Sequence, residues 1–434
     1  MAEEGEKFDA IVVGAGPAGS SAAYVMAKAG MEVVLLERGD YPGAKNVWGG
    51  VLFRDATEAV FPEFWEDAPL ERPVVDQRLW MLGKDSVTTA GFKTEQWSRP
   101  PYNAFTAMRA KIDPYFAKKA EDAGAFLIAE TQVTECIFDR GTVVGVRTGR
   151  EEGDLFADVV LMAEGVNCWA AVKSGLRRDY TMENSALAVK EIISLPEGTI
   201  NDRFNVPSDQ GATILCIGEF GHGTMGSGFI YTNKDTLSVG FGAIVEHLSE
   251  AKVQPNDLLE EMKSHPAVSR LLAGGETKEY SAHLIPEMKF ENLPRPYGAG
   301  YMLLGDSAGL VNFMFQEGAN LAIMSGKFAG ETAVAAKKTG DFSADSLALY
   351  QRKLAQSFVV KDLRSLRKMP GFFRGHRQFF TSYPRMVNEM ALDLLTVDGM
   401  PKLSKGKDLM RIARRERGLW GMARDAWDGA RSLR

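Results

Sequence analysis

The chain has 434 residues, 45% of them hydrophobic and 25% charged, with a net charge of −6. That composition suits a globular protein of two or three domains and excludes disordered, collagen-like and disulfide-scaffold classes. The acidic start, and the lack of an apolar run near the roughly 18 residues of a spanning helix, predict a cytoplasmic protein or one lying on the cytoplasmic face of a membrane. Cys136, Cys168 and Cys216 lack the short C-x-x-C spacing of zinc and iron-sulfur sites, so no metal is expected and any redox centre has to be organic.

In chain order, FDAIVV (8–13) reads as a buried strand, GAGPAGSSAAYVMAKAG as a helix stopped at Gly30, and MEVVLLE (31–37) as a second buried strand. This βαβ unit opens a doubly wound α/β sheet. A helix is predicted over 112–123, a strand pair over 131–149, and a strand over 154–165 that ends in an acidic-Gly corner. From about Leu187 to His283 the pattern alternates like antiparallel strands, interrupted by one helix, NDLLEEMKSH, and looks like an inserted domain. A buried strand returns at 301–309, followed by a long small-residue helix at 317–338. Everything after Ser343 reads as helices broken at Pro370, Pro384 and Pro401. The expected division is a discontinuous α/β domain (1–75, 105–185, 295–345), an inserted β domain (76–104, 186–294), and a basic helical segment (346–434).

Gly14, Gly16 and Gly19 form G-x-G-x-x-G between strand and helix, and Glu37 ends the next strand. Gly14 makes the tight turn, Gly16 admits a pyrophosphate close to the backbone, and Gly19 lets helix pack on strand. The helix terminus then meets the phosphate charge and the Glu37 carboxylate accepts from ribose hydroxyls. FAD and NAD share this fingerprint. Gly305-Asp306, after a later strand, favours FAD, because its carboxylate suits the ribityl hydroxyls that NAD lacks. Gly318, Ala319 and Asn320 begin a helix whose free N–H groups suit a flavin ring carbonyl. Arg109 is a candidate for pyrophosphate or ribityl oxygens, and Glu164-Gly165 for supporting the flavin-facing sheet end; either also suits a plain salt bridge or turn.

At these residues the chain resembles the flavoprotein superfamily of aromatic hydroxylases, geranylgeranyl reductases and electron-transfer-flavoprotein quinone oxidoreductases. ERGDYPGAKNVWGGVL (37–52), GSGFIYTNKDTLSVGFG (226–242), MKSHPAVSRLLAGGETKEYSAHLIPE (262–287) and the segments around Asp306 and Gly318 resemble the FixC-type members of the quinone oxidoreductase branch. The resemblance implies a Rossmann-like FAD domain of the glutathione reductase and p-hydroxybenzoate hydroxylase type, and adds Ala18, Arg38, Gly49, Gly50 and Val133 to the cofactor contacts. It implies electron transfer from the α and β subunits of an electron-transfer flavoprotein to a membrane quinone. It also implies a separate ferredoxin-like iron-sulfur subunit, because no cysteine follows Cys216. Met225, Gly226, Ser227, Gly228 and Phe229 match the family's Tyr-Gly-Gly-Ser-Phe quinone segment, so Gly226 to Phe229 are the expected quinone contacts; a strand with a bulge is the plain alternative. A geranylgeranyl reductase remains the other enzymatic reading, although GSGFIYT lacks the aromatic signature of that branch. A scaffold holding FAD only for folding is a third.

No catalytic acid or base is assigned, and His222, His247, His265, His283 and His376 do not cluster in sequence. Residues 361–434 carry 17 Lys+Arg against 8 Asp+Glu, which points to anionic lipid, an acidic partner or a solvated face. In PGFFRGHRQFFTSYPRM, Phe372, Phe373, Phe379, Phe380 and Tyr383 interleave with Arg374, Arg377 and Arg385, as in a monotopic membrane anchor or an aromatic core. Nucleic acid is not expected as a partner of so acidic a body. The tail sets Leu409, Ala413, Trp420, Ala423, Trp427 and Ala430 on roughly one face, with Arg414, Arg415, Arg417, Arg424 and Arg431 mostly elsewhere, suited to a partner or to its own body.

Overall fold

Strands Lys7–Val13 and Val33–Leu36 are rich in Val, Ile and Leu, and residues 10–13 of the first and all of the second are buried, as a parallel strand covered on both faces requires. They pair in parallel, and Lys7–Val13 pairs on its other side with Asp154–Met162, which continues to Tyr301–Leu303. Phe126–Ile128 joins beside Val33–Leu36, and the hairpin Val133–Asp139 with Thr142–Thr148 attaches to Asp154–Met162. The computed structural model describes residues 7–45, 49–151 and 153–433 and divides the chain into two units.

The first unit comprises 1–70, 107–185 and 284–364 and holds this parallel sheet. Its helix Ala319–Thr339 lies so close to helix Pro17–Lys28 that a Cβ on Gly326 would stand 2.1 Å from the Ala18 carbonyl oxygen. Contact between backbones therefore accounts for the run of small residues. Residues 344–364 also belong here and not to a separate C-terminal segment. Tyr350 of helix Ala344–Gln356 is fully buried, and its hydroxyl donates to the Leu303 carbonyl at 3.0 Å.

The second unit comprises 71–106, 186–283 and 365–434. Its sheet runs Glu276–Pro286, Ser185–Ser194, Thr236–Ile244, Gly226–Thr232, Gly211–Gly218 and Arg72–Leu82. The unit begins at Glu71, not at residue 76, because Arg72 is fully buried and donates to the Asn201 side chain (2.6 Å) and to the Gln210 and Lys234 carbonyls (3.1 and 2.8 Å). Four helices, not one, interrupt the strands: Glu197–Phe204, Val245–Ala251, Pro255–Ser264 and Pro266–Leu272. Three of them span only seven or eight residues, too few for a helical period to register.

The C-terminal prolines also act differently from the expectation. Pro370 and Pro384 sit in the first turns of helices Met369–Gly375 and Ser382–Leu395, where the missing N–H costs nothing, so they open helices and do not break them. Gly418, at φ 72°, divides the tail into helices Gly406–Glu416 and Leu419–Ser432. Asp425 is buried on the inner side, where it receives Arg417 through two bonds of 2.7 Å and accepts from Tyr383 and Gln378. Ala413 is buried as well, but Trp420, Ala423, Trp427 and Ala430 are exposed, Trp420 by 90%.

The rings of the aromatic segment pack on one another, with Phe372 buried and Phe373, Phe379, Phe380 and Tyr383 half-buried. Phe372 is buried, and its ring packs on Phe373, Phe379 and His376 at 4.4–5.3 Å between centroids. Its arginines are engaged by carboxylates of the same unit: Arg374 with Glu246, Arg377 with Glu250, and Arg385 with Glu219 and Glu416. Apolar exposure falls instead on the turn after Ser382–Leu395, where Leu395, Val397 and Leu403 are 75, 90 and 97% exposed. Lys405, itself buried, shapes that turn by donating to the Asp393 and Thr396 carbonyls (2.6 and 2.9 Å) and pairing with Asp398. Among the described residues no helix is long and apolar enough to cross a membrane, and no three His, Cys, Asp or Glu side chains form a metal cluster.

Candidate functional site

The first unit gathers the fingerprint residues at the C-terminal ends of its parallel strands. Gly14 has φ 100°, and a Cβ there would stand 2.3 Å from the Ala163 carbonyl oxygen; a Cβ on Gly19 would meet the Gly14 oxygen at 1.9 Å. Neither position tolerates a side chain. Gly16 is different, because its nearest neighbour is the Arg109 guanidinium, 3.3 Å from the Cβ position. Glu37 accepts from the Ala15 amide (3.1 Å) and the Gly39 amide (2.7 Å), one on each carboxylate oxygen, and so fixes the loop it was expected to serve.

Arg109 is the first residue of helix Arg109–Asp122, three residues earlier than the periodicity suggests, and grips Asp113 through bonds of 2.5 and 2.6 Å. Burial works against its charge, but the Asp113 carboxylate outweighs burial and holds the guanidinium firmly protonated; Asp306 and Glu37 add to that field. Ala18 packs under Gly305, which has φ 54° and would bring a Cβ within 3.3 Å of the Ala18 methyl. The Gly305 amide donates to Ser325 Oγ at 2.9 Å.

Two residues absent from the sequence reading build the Asp306 turn. Arg177 is buried, stacks on the Tyr180 ring at 4.0 Å and donates to the Ser307 carbonyl at 2.7 Å. Tyr180 donates its hydroxyl to the Asp306 carbonyl. Both lie in an irregular stretch, LRRDY, where no spacing or periodicity marks them. Burial pushes the Asp306 carboxyl up to about 6, against the pull of Arg109 and Arg177. Among the described residues nothing donates to that carboxylate.

The remaining candidates divide. Asn320 is buried at the start of helix Ala319–Thr339 and its Oδ1 has no partner among the described residues; Gly318 and Ala319 lead into the same turn. Gly165 has φ 71° and open space where a Cβ would stand. Glu164 is committed elsewhere, accepting from the Ala170 and Ala171 amides at 2.8 and 2.9 Å, so it braces the corner and its short helix. Arg38 lies over the Trp169 ring at 5.0 Å. Gly49 and Gly50 begin strand Gly49–Phe53, and Val133 is buried at the start of the hairpin. Residues 46–48 of the PGAKNVWGG loop lie outside the described residues.

An Asp306 carboxylate and an Asn320 amide oxygen without partners among the described residues, and a glycine facing a half-buried arginine, together fit FAD: hydroxyls for the first, a polar group of the cofactor for the second, phosphate beside the third.

In the second unit Gly226–Thr232 is a central strand. A Cβ on Gly228 would lie 2.0 Å from Met262 Sδ, and one on Gly226 would lie 2.5 Å from the Ala243 methyl, so packing alone demands both glycines. Ser227, Phe229 and Tyr231 alternate onto the opposite face, where the Phe229 and Tyr231 rings stack at 5.0 Å. His222 pairs with Glu261 at 2.7 Å. His247, wholly buried, accepts from the Met225 amide at 3.1 Å, and burial lowers its pKa to about 4.

The fold and the nucleotide cradle define an FAD-dependent oxidoreductase. The chain is 44% identical to Protein FixC of Bradyrhizobium diazoefficiens over 99% of both chains, and 44% identical to Protein FixC of Azotobacter vinelandii over 97% of this chain and 98% of that one. It is 40% identical to the probable electron transfer flavoprotein-quinone oxidoreductase YdiS of Escherichia coli K12 over 99% of each. Residues 369–434 match the ETF-QO/FixC family C-terminal domain, and residues 12–47 an NAD(P)-binding Rossmann-like domain. Among solved structures, a geranylgeranyl bacteriochlorophyll reductase-like protein of Thermoplasma acidophilum shares the fold (TM-score 0.71, 19% identity, 95% of this chain and 96% of that one). So does the flavin-dependent brominase Bmp2 (TM-score 0.66, 16% identity, 94% and 93%). The chain belongs to the FixC and electron-transfer-flavoprotein quinone oxidoreductase family.

Proposed function

We propose that the chain takes electrons from an electron-transfer flavoprotein and passes them to a quinone at a membrane surface, alongside a separate ferredoxin-like iron-sulfur subunit. The observation that carries this reading is 40% identity over 99% of both chains to a relative named as a probable electron transfer flavoprotein-quinone oxidoreductase, joined to an Asp306 carboxylate that accepts no hydrogen bond among the described residues. Bound FAD supplies the exchange between one-electron carriers and a two-electron acceptor. The chain's own residues bind and orient it: Gly14, Gly16, Gly19 and Arg109 at the pyrophosphate, Glu37 at the ribose, Asp306 at the ribityl chain, and Gly318 to Asn320 at the ring.

For the quinone, the face bearing Ser227, Phe229 and Tyr231 suits a flat headgroup better than the Gly228 face, which Met262 fills. For the membrane, Leu395, Val397 and Leu403 replace the phenylalanines as the contact, flanked by Lys402, Lys407 and Arg411 for anionic lipid. Exposed Trp420 and Trp427 beside Arg424 and Arg431 suit an acidic partner subunit. The test is the absorbance spectrum of the purified chain during addition of reduced electron-transfer flavoprotein and then of a soluble short-chain quinone. Bleaching followed by recovery is expected; a flavin unchanged by both reagents rejects the reading.

A further inference from the structure

Glu317 immediately precedes Gly318, where helix Ala319–Thr339 begins. Asn312 and Glu317 exchange backbone hydrogen bonds of 2.8 and 3.0 Å, which close the short loop between them and fix where the Glu317 carboxylate stands. That carboxylate accepts from Asn312 Nδ2 at 3.5 Å and from the side-chain amide of Asn320, in the first turn of the helix.

The second of these bonds decides which way Asn320 faces. Its NH2 group is turned to the carboxylate, so its Oδ1 is left bare, in a residue only 4% exposed and with no partner for that oxygen among the described residues. A buried acceptor without a donor is costly, so the donor has to come from a bound molecule. Gly318 leaves the same helix start without a side-chain cap, so its first amides also require a partner. Ala322 lies 3.2 Å from the place a Cβ of Gly305 would take, and Ala18 of the fingerprint helix 3.3 Å from it, which sets this turn against the Gly305-Asp306 corner. Donors and an acceptor side by side match the imide edge of a flavin ring, where an N–H lies between two carbonyls.

We propose that Glu317 is a positioning residue, holding Asn320 as the hydrogen-bond acceptor for the imide N–H of the flavin ring while the amides of the helix start serve the neighbouring carbonyl. Without Glu317 the Asn320 side chain is free to turn its NH2 group inward, where it opposes a donor with a donor. This rests on the FAD reading above, so the affinity of the wild type for FAD is measured first.

The experiment titrates the full-length apoprotein with FAD and with 3-methyl-FAD, which lacks the imide N–H, and follows flavin fluorescence. Wild type, Glu317→Leu, Glu317→Gln, Asn320→Ala and the double variant Glu317→Leu with Asn320→Ala are compared. Glu317→Leu and Asn320→Ala should each weaken FAD binding about tenfold, and the double variant no further, because both act through one bond. Glu317→Gln, whose side-chain oxygen still accepts from Asn320, should stay within about twofold of wild type. 3-Methyl-FAD should bind wild type about tenfold less tightly than FAD does, and neither substitution should weaken it further. Losses that multiply in the double variant, a Glu317→Gln variant as weak as Glu317→Leu, or a wild type that does not distinguish the two flavins overturns the proposal. So does an Asn320→Ala variant with wild-type affinity, which would leave the bare oxygen to water. If Glu317→Leu does not fold, Glu317→Asp takes its place in the cycle, since it draws the carboxylate back by one methylene, and the same outcomes decide. Wild type that binds neither flavin rejects the FAD reading itself, and this proposal with it.

Discussion

Arg109 and Asp113 face each other across one turn of the same helix, joined by two hydrogen bonds of 2.5 and 2.6 Å, and the outer edge of that guanidinium borders Gly16. The aspartate therefore aims the arginine at the place a phosphate has to occupy. Asp113→Ala leaves a charge enclosed without its partner, which costs stability toward the lower end of about 3–5 kcal/mol. It should also weaken FAD binding at least tenfold, read by flavin fluorescence on titration of the apoprotein. Unchanged affinity in a folded variant would separate Arg109 from the cofactor.

Asp306 predicts how cofactor binding depends on pH. Its carboxyl sits at about 6 in the folded chain, against about 4 in an unfolded one. As pH rises from 4 to 6 the unfolded chain gives up its proton first, so the apoprotein loses stability across that window. Hydroxyl donors of FAD favour the ionised carboxylate, so below about pH 6 binding expels the proton, and affinity should climb as pH rises towards 6 and level off above it. Calorimetric titration in buffers of different ionisation enthalpy measures the released proton, and Asp306→Asn should abolish the release.

The membrane face is tested by contrasting two variants. Leu395, Val397 and Leu403 replaced together by Ser should leave the melting temperature almost unchanged, because these side chains are exposed. Liposome flotation should nevertheless disappear, since each would contribute about 1.5–3 kcal/mol when buried in lipid. Phe372→Ala should do the opposite, losing about 3–5 kcal/mol of stability as a core deletion. Flotation that survives the triple change and fails only with the phenylalanine reverses the assignment.

Gly326→Val tests the helix contact in the first unit. With the Ala18 carbonyl 2.1 Å from the new Cβ, the two helices have to part, which costs at least about 1–3 kcal/mol and disturbs the fingerprint turn that Ala18 belongs to. Lower melting temperature together with lower flavin occupancy is expected. Gly198, an exposed glycine with open space at its Cβ position and no left-handed φ, gives the control.

What the sequence made legible was local. The strand, glycine turn, helix and acid of residues 8–37 follow one another within thirty residues, and each has a side-chain type that geometry dictates. Asp306 was legible because it closes a buried strand. Arg177 and Tyr180 were not, because their roles come from contacts more than a hundred residues away, which leave no period in the chain. The aromatic segment stayed open between core and anchor for a related reason. Phenylalanines spaced among arginines look the same whether the arginines meet lipid or the carboxylates of Glu246, Glu250 and Glu416, and only the tertiary pairing separates the two.

The threading of the chain has a consequence for its synthesis. The polypeptide leaves the first unit at residue 70, re-enters at 107, leaves again at 185, returns at 284 and departs finally at 364. Neither unit corresponds to a contiguous stretch of gene, so no single cut separates the two. On the ribosome the parallel sheet waits for Tyr301–Leu303, and the second unit waits for Asp425 to collect Arg417, Tyr383 and Gln378. Nascent chains lacking the last few dozen residues therefore hold all of the first unit but not of the second, and a stop codon anywhere before residue 425 removes the group that gathers the tail.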